Sequence, residues 1–251
     1  AQLLPNLNFE FTIDTTNLSS GSSTATQFKL PLNSSFNGVT GDVDWGDGST
    51  DTISAFNQAA VTHTYASSGI YEIKISNALR GWQFGGSGDR LKMLNISNYG
   101  VFNFNSGVTF VFQGCSNMTQ SASDAPIIST VNLGGAFFGC TAFNGNVNNW
   151  NLTNVTNINR FFSGCTNFNR NLNNWDVSNV TTIESAFNNC SSFNGNINNW
   201  DVSNVTNFQN SFNGSSVNQN LGAWNILKAT NLSNAFGSTP LSTANYDAIL
   251  I

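Results

Sequence analysis

Short apolar segments alternate with turn residues over the first eighty positions of the chain. The segment Ile70-Tyr71-Glu72-Ile73-Lys74-Ile75 alternates apolar and polar side chains, which is the period of a strand with one buried face. Gly and Asp, which both favour turns, separate the segments of this kind. The other predicted strands are Phe9–Ile13, Gln27–Leu30, Val43–Trp45 and Val61–Tyr65. The pattern predicts a small antiparallel β-sandwich of the immunoglobulin-like type over residues 1–80.

A second pattern, with a period of 25 residues, covers the chain from about residue 101. Repetition at this length predicts stacked units, each of which buries its apolar side chains only against its neighbours. We expect a solenoid of about six coils over residues 101–251, with a strand near Asn194–Trp200 and a helical or 3₁₀ segment near Val205–Phe212. The recurring residues are Phe112, Phe137, Phe162, Phe187, Phe212 and Phe236; Cys115, Cys140, Cys165 and Cys190; and Trp150, Trp175, Trp200 and Trp224.

Residues 81–100 are predicted to join the two regions. Glycines interrupt their first half, and Lys92–Ile96 is expected to be the first strand of the solenoid. At the other end, Leu241–Ile251 is typical of a short helix with Thr243 as its N-cap. Since the chain stops within this helix, we expect either a fragment or a last coil that something else covers.

Charge and hydrophobicity exclude two classes of partner. Only 8% of the residues are charged, the formal net charge is −5 and the pI is about 4.5. No basic surface for phosphates is therefore predicted, and nucleic acid is not an expected partner. No apolar run approaches the roughly 18 residues of a membrane span, so membrane insertion is not expected either. The sequence begins at Ala1 without a leader pattern, which fits a chain that lost its Met or one whose signal was removed.

The repeat carries a specific signature. It reads Phe-x-x-Cys-x-x-Phe-Asn-x-Asn-x-Asn-Asn-Trp-Asp-Val-Ser-Asn-Val-Thr, as at 187–206, and resembles the BspA-like leucine-rich surface-protein repeat. Asp124-Ala125-Pro126-Ile127-Ile128-Ser129 is similar to the opening repeat of that family. Upstream, Val43-Asp44-Trp45-Gly46-Asp47-Gly48 with His63-Thr64-Tyr65 resembles the PKD-type β-sandwich.

The two resemblances together imply a leucine-rich-repeat-like solenoid behind a PKD-like domain, as in adhesin-like proteins of bacterial surfaces and phage particles. They imply a non-enzymatic, extracellular or virion-surface protein for structure or adhesion, without a cofactor. The expected partners are a cell-surface glycan or protein, or other subunits of the same surface. A bacteriophage particle is the preferred carrier, followed by a secreted bacterial surface protein. Self-assembly into fibres or lattices is the alternative, and a carbohydrate-active enzyme is a third hypothesis.

The cysteine spacing argues against a metal site. Zinc sites place cysteines two to four residues apart, and a single histidine, His63, is present in the sequence. In-register side chains of neighbouring coils point in parallel, so their Cβ atoms are farther apart than the roughly 3.8 Å that a disulfide prefers. We expect four reduced, buried thiols, with Ser215 replacing the cysteine in the next coil.

The tryptophans have two interpretations. An exposed row at Trp150, Trp175, Trp200 and Trp224 would be a platform for sugars or an apolar partner. A buried row would close the core. The degree of burial distinguishes the two.

Three polar groups invite catalytic or metal hypotheses. Asp176 and Asp201, on adjacent coils, could form a glycosidase pair, but Asn151 and Asn225 occupy the same column, which favours turn capping. His63 is predicted to be a strand residue held by local hydrogen bonds. Asp42, Asp44, Asp47 and Asp51 form a candidate calcium cluster, although they do not fit the EF-hand pattern.

Many Asn-x-Ser/Thr sequons also fall within the repeats. Those at Asn179 and Asn204 occupy one repeat position. We predict that their amides bond from coil to coil rather than carry glycans.

Overall fold

The computed structural model describes residues 6–35, 40–77, 79–105 and 107–249, and the protein is mostly β. One helix and two short 3₁₀ turns, at Ala59–Val61 and Gly88–Lys92, accompany the strands. The helix is α1 (Thr243–Ile249). The strands are β1 (Phe9–Asp14), β2 (Gln27–Lys29), β3 (Gly41–Asp44), β4 (Thr50–Ile53), β5 (Thr62–Thr64), β6 (Ile70–Ser76), β7 (Met93–Asn98), β8 (Asn103–Phe104), β9 (Thr119–Gln120) and β10 (Ile127–Ile128).

The main sheet has six strands in the order β4-β3-β6-β1-β7-β9. β1 pairs antiparallel with β6, with Phe11 opposite Ile73, and every second residue of β1 is buried. The predicted alternation in β6 is confirmed at Ile73 and Ile75, whereas Ile70 is 66% exposed. β2 and β5 form a separate antiparallel pair. Phe28 of β2 faces Phe11 of the main sheet, with 6.0 Å between ring centroids.

The pattern did not predict β4. Its sequence, Thr50-Asp51-Thr52-Ile53, has one apolar residue, and the strand lies at the edge of the sheet, where only Ile53 is buried. An edge strand needs little apolar content because only part of one face meets the core. Its pairing with β3 places Val43 opposite Asp51.

The sheet continues through the junction into the repeats. β7 pairs antiparallel with β1, with Phe11 opposite Ile96, and parallel with β9, with Asn95 opposite Thr119. The predicted strand at the start of the repeat region is therefore confirmed. Buried apolar residues from Phe9 to Ile249 form one core cluster, so the two regions share a sheet and a core.

A buried ion pair lies at this junction. Lys92 and Asp89, both in the 3₁₀ turn Gly88–Lys92, have fully buried side chains, with 3.4 Å between Nζ and Oδ1. The ammonium group donates to the carbonyls of Ser23 and Gln27, at 3.2 and 2.7 Å. The Asp89 carboxylate accepts the Ser23 N–H at 2.7 Å. The pair thus fastens the loop before β2 to the start of the repeats.

Successive repeats lie side by side and pair in parallel. Alternate N–H groups of one repeat donate to carbonyls of the next, as Phe162 N does to Ala186 O at 2.9 Å. The N–H groups between them bond within the repeat, as Cys165 N does to Phe162 O at 2.8 Å. The series of parallel bridges runs through Asn132, Asn157, Thr182, Asn207 and Asn231.

The predicted strand near Asn194–Trp200 is wrong, and so is the predicted helical or 3₁₀ segment near Val205–Phe212. The first segment contains no assigned strand, and the second consists of a bridge followed by turns. In the first segment, a turn at Asn198, whose N–H donates to Asn196 Oδ1 at 3.0 Å, ends the extended backbone. In the second, the reason is a pair of left-handed positions in each repeat, which interrupt a helix. Ser185 and Asn210 hold the first position with φ of 55° and 54°, and Gly164 holds the second with φ of 77°.

The helix α1 closes the last repeat on one side. Ser242, rather than the predicted Thr243, is its N-cap, because the Ser242 hydroxyl accepts the Asn245 N–H at 3.3 Å. A cavity of about 310 Å³ lies between α1 and the last repeat, beside Tyr246 and Ile249. The remainder of the predicted helix, residues 250–251, lies outside the described residues. Over the ranges described, no helix is long and apolar enough to cross a membrane.

Candidate functional site on the repeat surface

The phenylalanine column forms a continuous stack inside the repeats. Neighbouring ring centroids are 5.3 to 5.7 Å apart, within the range of favourable aromatic pairs. The first five rings are buried, and Phe236, at the end of the column, is partly buried. The column therefore packs the core.

The tryptophans lie in the core as well. Their exposed fractions are only 2 to 5%, and Trp175 and Trp200 stack with 6.1 Å between centroids. The Trp175 indole N–H donates to Val147 O at 2.7 Å, and the Trp200 N–H donates to Leu172 O at 2.9 Å. The hypothesis that Trp150, Trp175, Trp200 and Trp224 line a binding face is therefore corrected, since rings buried to this extent cannot stack on a ligand.

The four cysteines are free and buried. Each of the last three donates its S–H to a phenylalanine carbonyl 28 residues earlier, as Cys165 Sγ does to Phe137 O at 3.0 Å. Burial raises the pKa of all four thiols, to about 12 at Cys190. A thiol held in its neutral form is a poor nucleophile and metal ligand.

Turn capping accounts for the Asp/Asn column. Oδ1 of Asp176 accepts the Ser178 N–H at 3.1 Å, and Oδ1 of Asp201 accepts the Ser203 N–H at 3.0 Å. Asn151 and Asn225 make the same bond two residues ahead. Hydrogen bonds from Ser178 and Ser203 lower the pKa of the two carboxyl groups. Neither carboxyl is held as a proton donor, whereas a glycosidase acid needs a raised pKa.

The four aspartates of the calcium hypothesis bond to separate partners. Asp42 accepts from the Thr52 hydroxyl, Asp44 from the Gly46 N–H, and Asp51 from the Trp45 indole. In the part of the chain that the structure describes, no three His, Cys, Asp or Glu side chains are grouped to hold a metal ion. The calcium site at Asp42, Asp44, Asp47 and Asp51 is therefore corrected to a set of turn and strand contacts.

Asp47 pairs instead with the histidine. Asp47 Oδ2 lies 2.8 Å from His63 Nε2, and Asp47 Oδ1 accepts the Ser49 N–H at 3.0 Å. His63 stacks on Trp45, with 4.7 Å between centroids. Ser49 Oγ approaches the same Nε2 at 3.4 Å. In a Ser-His-Asp triad the serine and the aspartate bond to opposite ring nitrogens, so this is a local contact of the β5 strand.

The outer surface of the repeats carries columns of neutral polar side chains. The hydroxyls of Thr181 and Thr206 each donate to a threonine carbonyl 25 residues earlier, at 3.1 and 3.2 Å. The amides of Asn179 and Asn204 donate to carbonyls of the preceding repeat, both at 2.8 Å, so the predicted coil-to-coil bonding is confirmed. The surface is thus a regular, rigid array of hydroxyl and amide groups.

Small clefts recur in this surface beside the buried tryptophans. One of about 270 Å³ is lined by Asn149, Asn151, Asn174 and Asp176, among others. Another of about 320 Å³ is lined by Asn198, Asn199, Trp200, Asp201, Ala223 and Asn225. Matching residues of the two clefts are two repeats apart. The sequence contains the Asn-Asn-Trp run of these clefts. It did not show that the asparagine side chains line the surface, because that follows only from the burial of the indole.

The fold and this surface define a mostly β repeat protein with a regular polar face and a closed aromatic core. A profile of the family described as "Mycoplasma protein of unknown function, DUF285" matches residues 131–248, less than half of the chain and within the repeat region and α1. No curated protein matches the chain. No solved structure matches it either.

Proposed function

We propose that this chain is a non-enzymatic surface protein of a bacterial cell or a virion, and that it binds a cell-surface partner through the repeat face. The observation that carries the proposal is the array of uncharged hydroxyl and amide columns along the stacked repeats. Residues that bind a ligand are positioned more precisely when a rigid scaffold holds them. Here the bonds between repeats hold these side chains in place.

In this proposal the repeats form a BspA-like, leucine-rich-repeat-like solenoid. The parallel bridges, three at steps of 25 residues and the last at 24, support it. The motif Asp124-x-Pro126 also supports this assignment. The Asp124 carboxylate accepts the N–H groups of Tyr99 and Gly100, at 3.0 and 2.7 Å, and closes the turn after β7.

The preceding part is proposed to be an immunoglobulin-like, PKD-type sandwich. The antiparallel order of β3, β6 and β1 supports this assignment. Within it, the Tyr65 hydroxyl donates to Trp45 O at 3.1 Å, which joins the two halves of the resemblance, Val43–Gly48 and His63–Tyr65. A sandwich followed by a solenoid fits the adhesin-like class, with a phage particle as the preferred carrier.

Binding to whole cells tests the function. We would measure sedimentation of the labelled protein with a panel of bacterial strains. The double variant Asn174→Arg, Asn199→Arg places bulky charges on the repeat face, and Ser68→Arg places the same group on an exposed site before β6. We expect the double variant to lose cell binding and Ser68→Arg to retain it. Equal binding by all three proteins would contradict the proposal.

The absence of catalysis is tested separately. Glycans incubated with the protein should remain intact, because Asp176 and Asp201 both serve as hydrogen-bond acceptors of turns. Release of shorter sugars that stops in Asp176→Asn would make the protein an enzyme, since Asn retains the turn but cannot act as nucleophile or acid.

Self-assembly is the second candidate function. It is favoured by exposed apolar side chains on the last repeat and α1, where Leu227, Leu232 and Tyr246 are 92%, 46% and 49% exposed. Large exposed apolar groups favour association. Analytical ultracentrifugation of wild type and Leu227→Asp tests this candidate. Concentration-dependent association that the substitution abolishes would support it, and a monomer at all concentrations would rule it out.

A further inference from the structure

The two clefts lie beside the Asn-Asn-Trp runs at 148–150 and 198–200, a part of the surface that we call the Asn-Asn-Trp edge. Their polar linings suit them as binding subsites for one ligand. In the second cleft, the Ser203 N–H donates to Asp201 Oδ1 at 3.0 Å and so orients the exposed carboxylate. Asn225 is held in the same way by the Leu227 N–H, which leaves its Nδ2 as a donor. The cleft therefore combines an oriented acceptor with an oriented donor.

Two further amides complete this cleft. The Asn199 side chain is exposed, and among the described residues it has no hydrogen-bond partner. The Asn198 side chain also lines the cleft, and its Oδ1 is buried without a partner in that same set. A buried acceptor of this kind is not open to a ligand, so the groups that a ligand can reach are those of Asn199, Asp201 and Asn225. A sugar hydroxyl both donates and accepts, which matches this mixture of groups.

The charge of the edge favours a neutral ligand over an anionic one. Asp176 and Asp201 are ionised at neutral pH, because their hydrogen bonds to Ser178 and Ser203 lower the carboxyl pKa. The whole chain has a formal net charge of −5. The Lys228 ammonium offsets part of the negative charge beside Asp201, but the carboxylates of Asp176 and Asp201 in the two clefts disfavour a sulfated or uronic-acid polymer.

The spacing of the clefts points to a polymer. Their matching residues are 50 positions apart, for example Asn149 and Asn199, which is two steps of the stack. With about 4.8 Å between neighbouring paired strands, two steps amount to about 10 Å. A chain that runs along the stack would meet an Asn-Asn-Trp run at both clefts, although Asn151 replaces Asp201 in the first cleft and the Asn149 amide there donates to Ser123 O at 3.2 Å. Several weak contacts would add through avidity.

We propose that the Asn-Asn-Trp edge binds a neutral, hydroxyl-rich polysaccharide that lies along the stack of repeats. This inference rests on the proposed binding function and names its ligand class. The clefts at Asn149–Asp176 and Asn199–Asn225 are then successive subsites for one chain. The buried indoles position the edge, and the exposed amides and carboxylates contact the sugar.

The test uses soluble neutral glycans, namely dextran, mannan and xylan, with dextran sulfate as the anionic counterpart. Calorimetry with the full chain should detect binding to at least one neutral glycan, increasing with oligosaccharide length, and none to dextran sulfate. Asn199→Ala, which leaves every turn bond in place, should bind about tenfold more weakly, as expected for one lost hydrogen bond. Asp201→Asn, which keeps the turn, should also weaken binding.

The matched control is Asn167→Ala, an exposed asparagine on another edge of the repeat, which should bind as wild type does. Unchanged affinity in Asn199→Ala and Asp201→Asn, or equal binding to dextran sulfate, would overturn the inference. Wild-type protein that binds cells but none of the three neutral glycans would overturn the inference and leave the proposed function standing. Protein that binds neither cells nor glycans would overturn both.

Discussion

At the residue scale, several side chains reach back to a carbonyl of the preceding repeat. The Cys165 thiol and the Trp175 indole each donate to a carbonyl 28 residues earlier. Sequence reasoning suggested that the cysteines fill space and left the tryptophans open between core and surface. It could not show their donor role, because the acceptors are backbone carbonyls that carry no sequence signature.

The buried thiols lead to a reactivity prediction. In the native protein at pH 8, a thiol reagent should modify none of Cys115, Cys140, Cys165 and Cys190, since burial raises the pKa of each thiol and prevents access. In denaturant, four equivalents should react. Counting modified thiols by mass spectrometry checks this, and fewer than four under denaturing conditions would mean that disulfides form.

Asp47 predicts a loss of stability in acid. Burial alone would raise the pKa of this carboxyl, but hydrogen bonds from Ser49 and His63 outweigh it and lower the pKa from 3.8 to about 2. A lowered pKa stabilises the folded state above about pH 4, and this contribution is lost as pH falls towards 2. The melting temperature of Asp47→Asn should therefore be lower than that of wild type at pH 6, with the gap closing near pH 2.

Asp247→Asn, which removes an exposed carboxylate on α1, is the control for this pH series. It should melt as wild type does at both pH values. An Asp47→Asn gap that stays constant from pH 6 to pH 2 would show that the carboxylate charge is not the cause.

At the scale of the element, apolar alternation and turn residues predicted β1 and β6, whose buried residues alternate. The strand predicted at Lys92–Ile96 corresponds to β7, although its buried residues, Met93 and Ile96, are three positions apart and its register with β1 shifts. The local backbone of the repeats could not be predicted in this way. Arg160, Ser185 and Asn189 adopt left-handed φ of 54°, 55° and 57°, which few residues other than glycine favour. The bonds between neighbouring repeats impose these conformations on residues other than glycine. In the sequence, only the glycines that hold the same positions in other repeats, such as Gly135 and Gly164, give a sign of them.

The tryptophan column allows a matched comparison within one protein. Trp175→Phe removes an indole N–H that donates to Val147 O, whereas Trp150→Phe removes one that has no partner among the described residues. Both changes lose similar apolar volume. We expect Trp175→Phe to lower the free energy of unfolding by about 1 kcal/mol more than Trp150→Phe does. Urea unfolding of the two variants measures the difference. Equal losses of unfolding free energy would mean that the Trp175 hydrogen bond does not stabilise the fold.

At the scale of the whole molecule, the strand β7 belongs to both regions, since it pairs with β1 on one side and β9 on the other. The sequence predicted two modules and a strand at Lys92–Ile96, where β7 lies. It did not predict that the strand completes the sheet of the preceding module, because pairing partners far apart in sequence leave no local pattern.

The buried pair Lys92–Asp89 is predicted to couple the two regions. Lys92→Met leaves the Asp89 charge buried and unpaired, so unfolding should become easier by about 3 to 5 kcal/mol. Lys74→Met removes an ammonium group that is 40% exposed and pairs with Glu10 at 3.5 Å and Glu72 at 3.8 Å, and should cost about 0 to 1 kcal/mol. Wild type should unfold in one calorimetric transition, and Lys92→Met at a lower temperature. Two transitions in wild type would contradict the coupling.

The bonding between repeats also has a consequence for how long such a molecule can become. Phe162 bonds to Ala186, Phe187 to Ser211 and Phe212 to Ala235, each through the same N–H to carbonyl contact. Every junction is thus interchangeable with the next, and duplication of one unit would create no new kind of interface. Gene duplication or loss of whole units could therefore lengthen or shorten the protein stepwise. Copy number, rather than the chemistry of any single unit, would then set its reach.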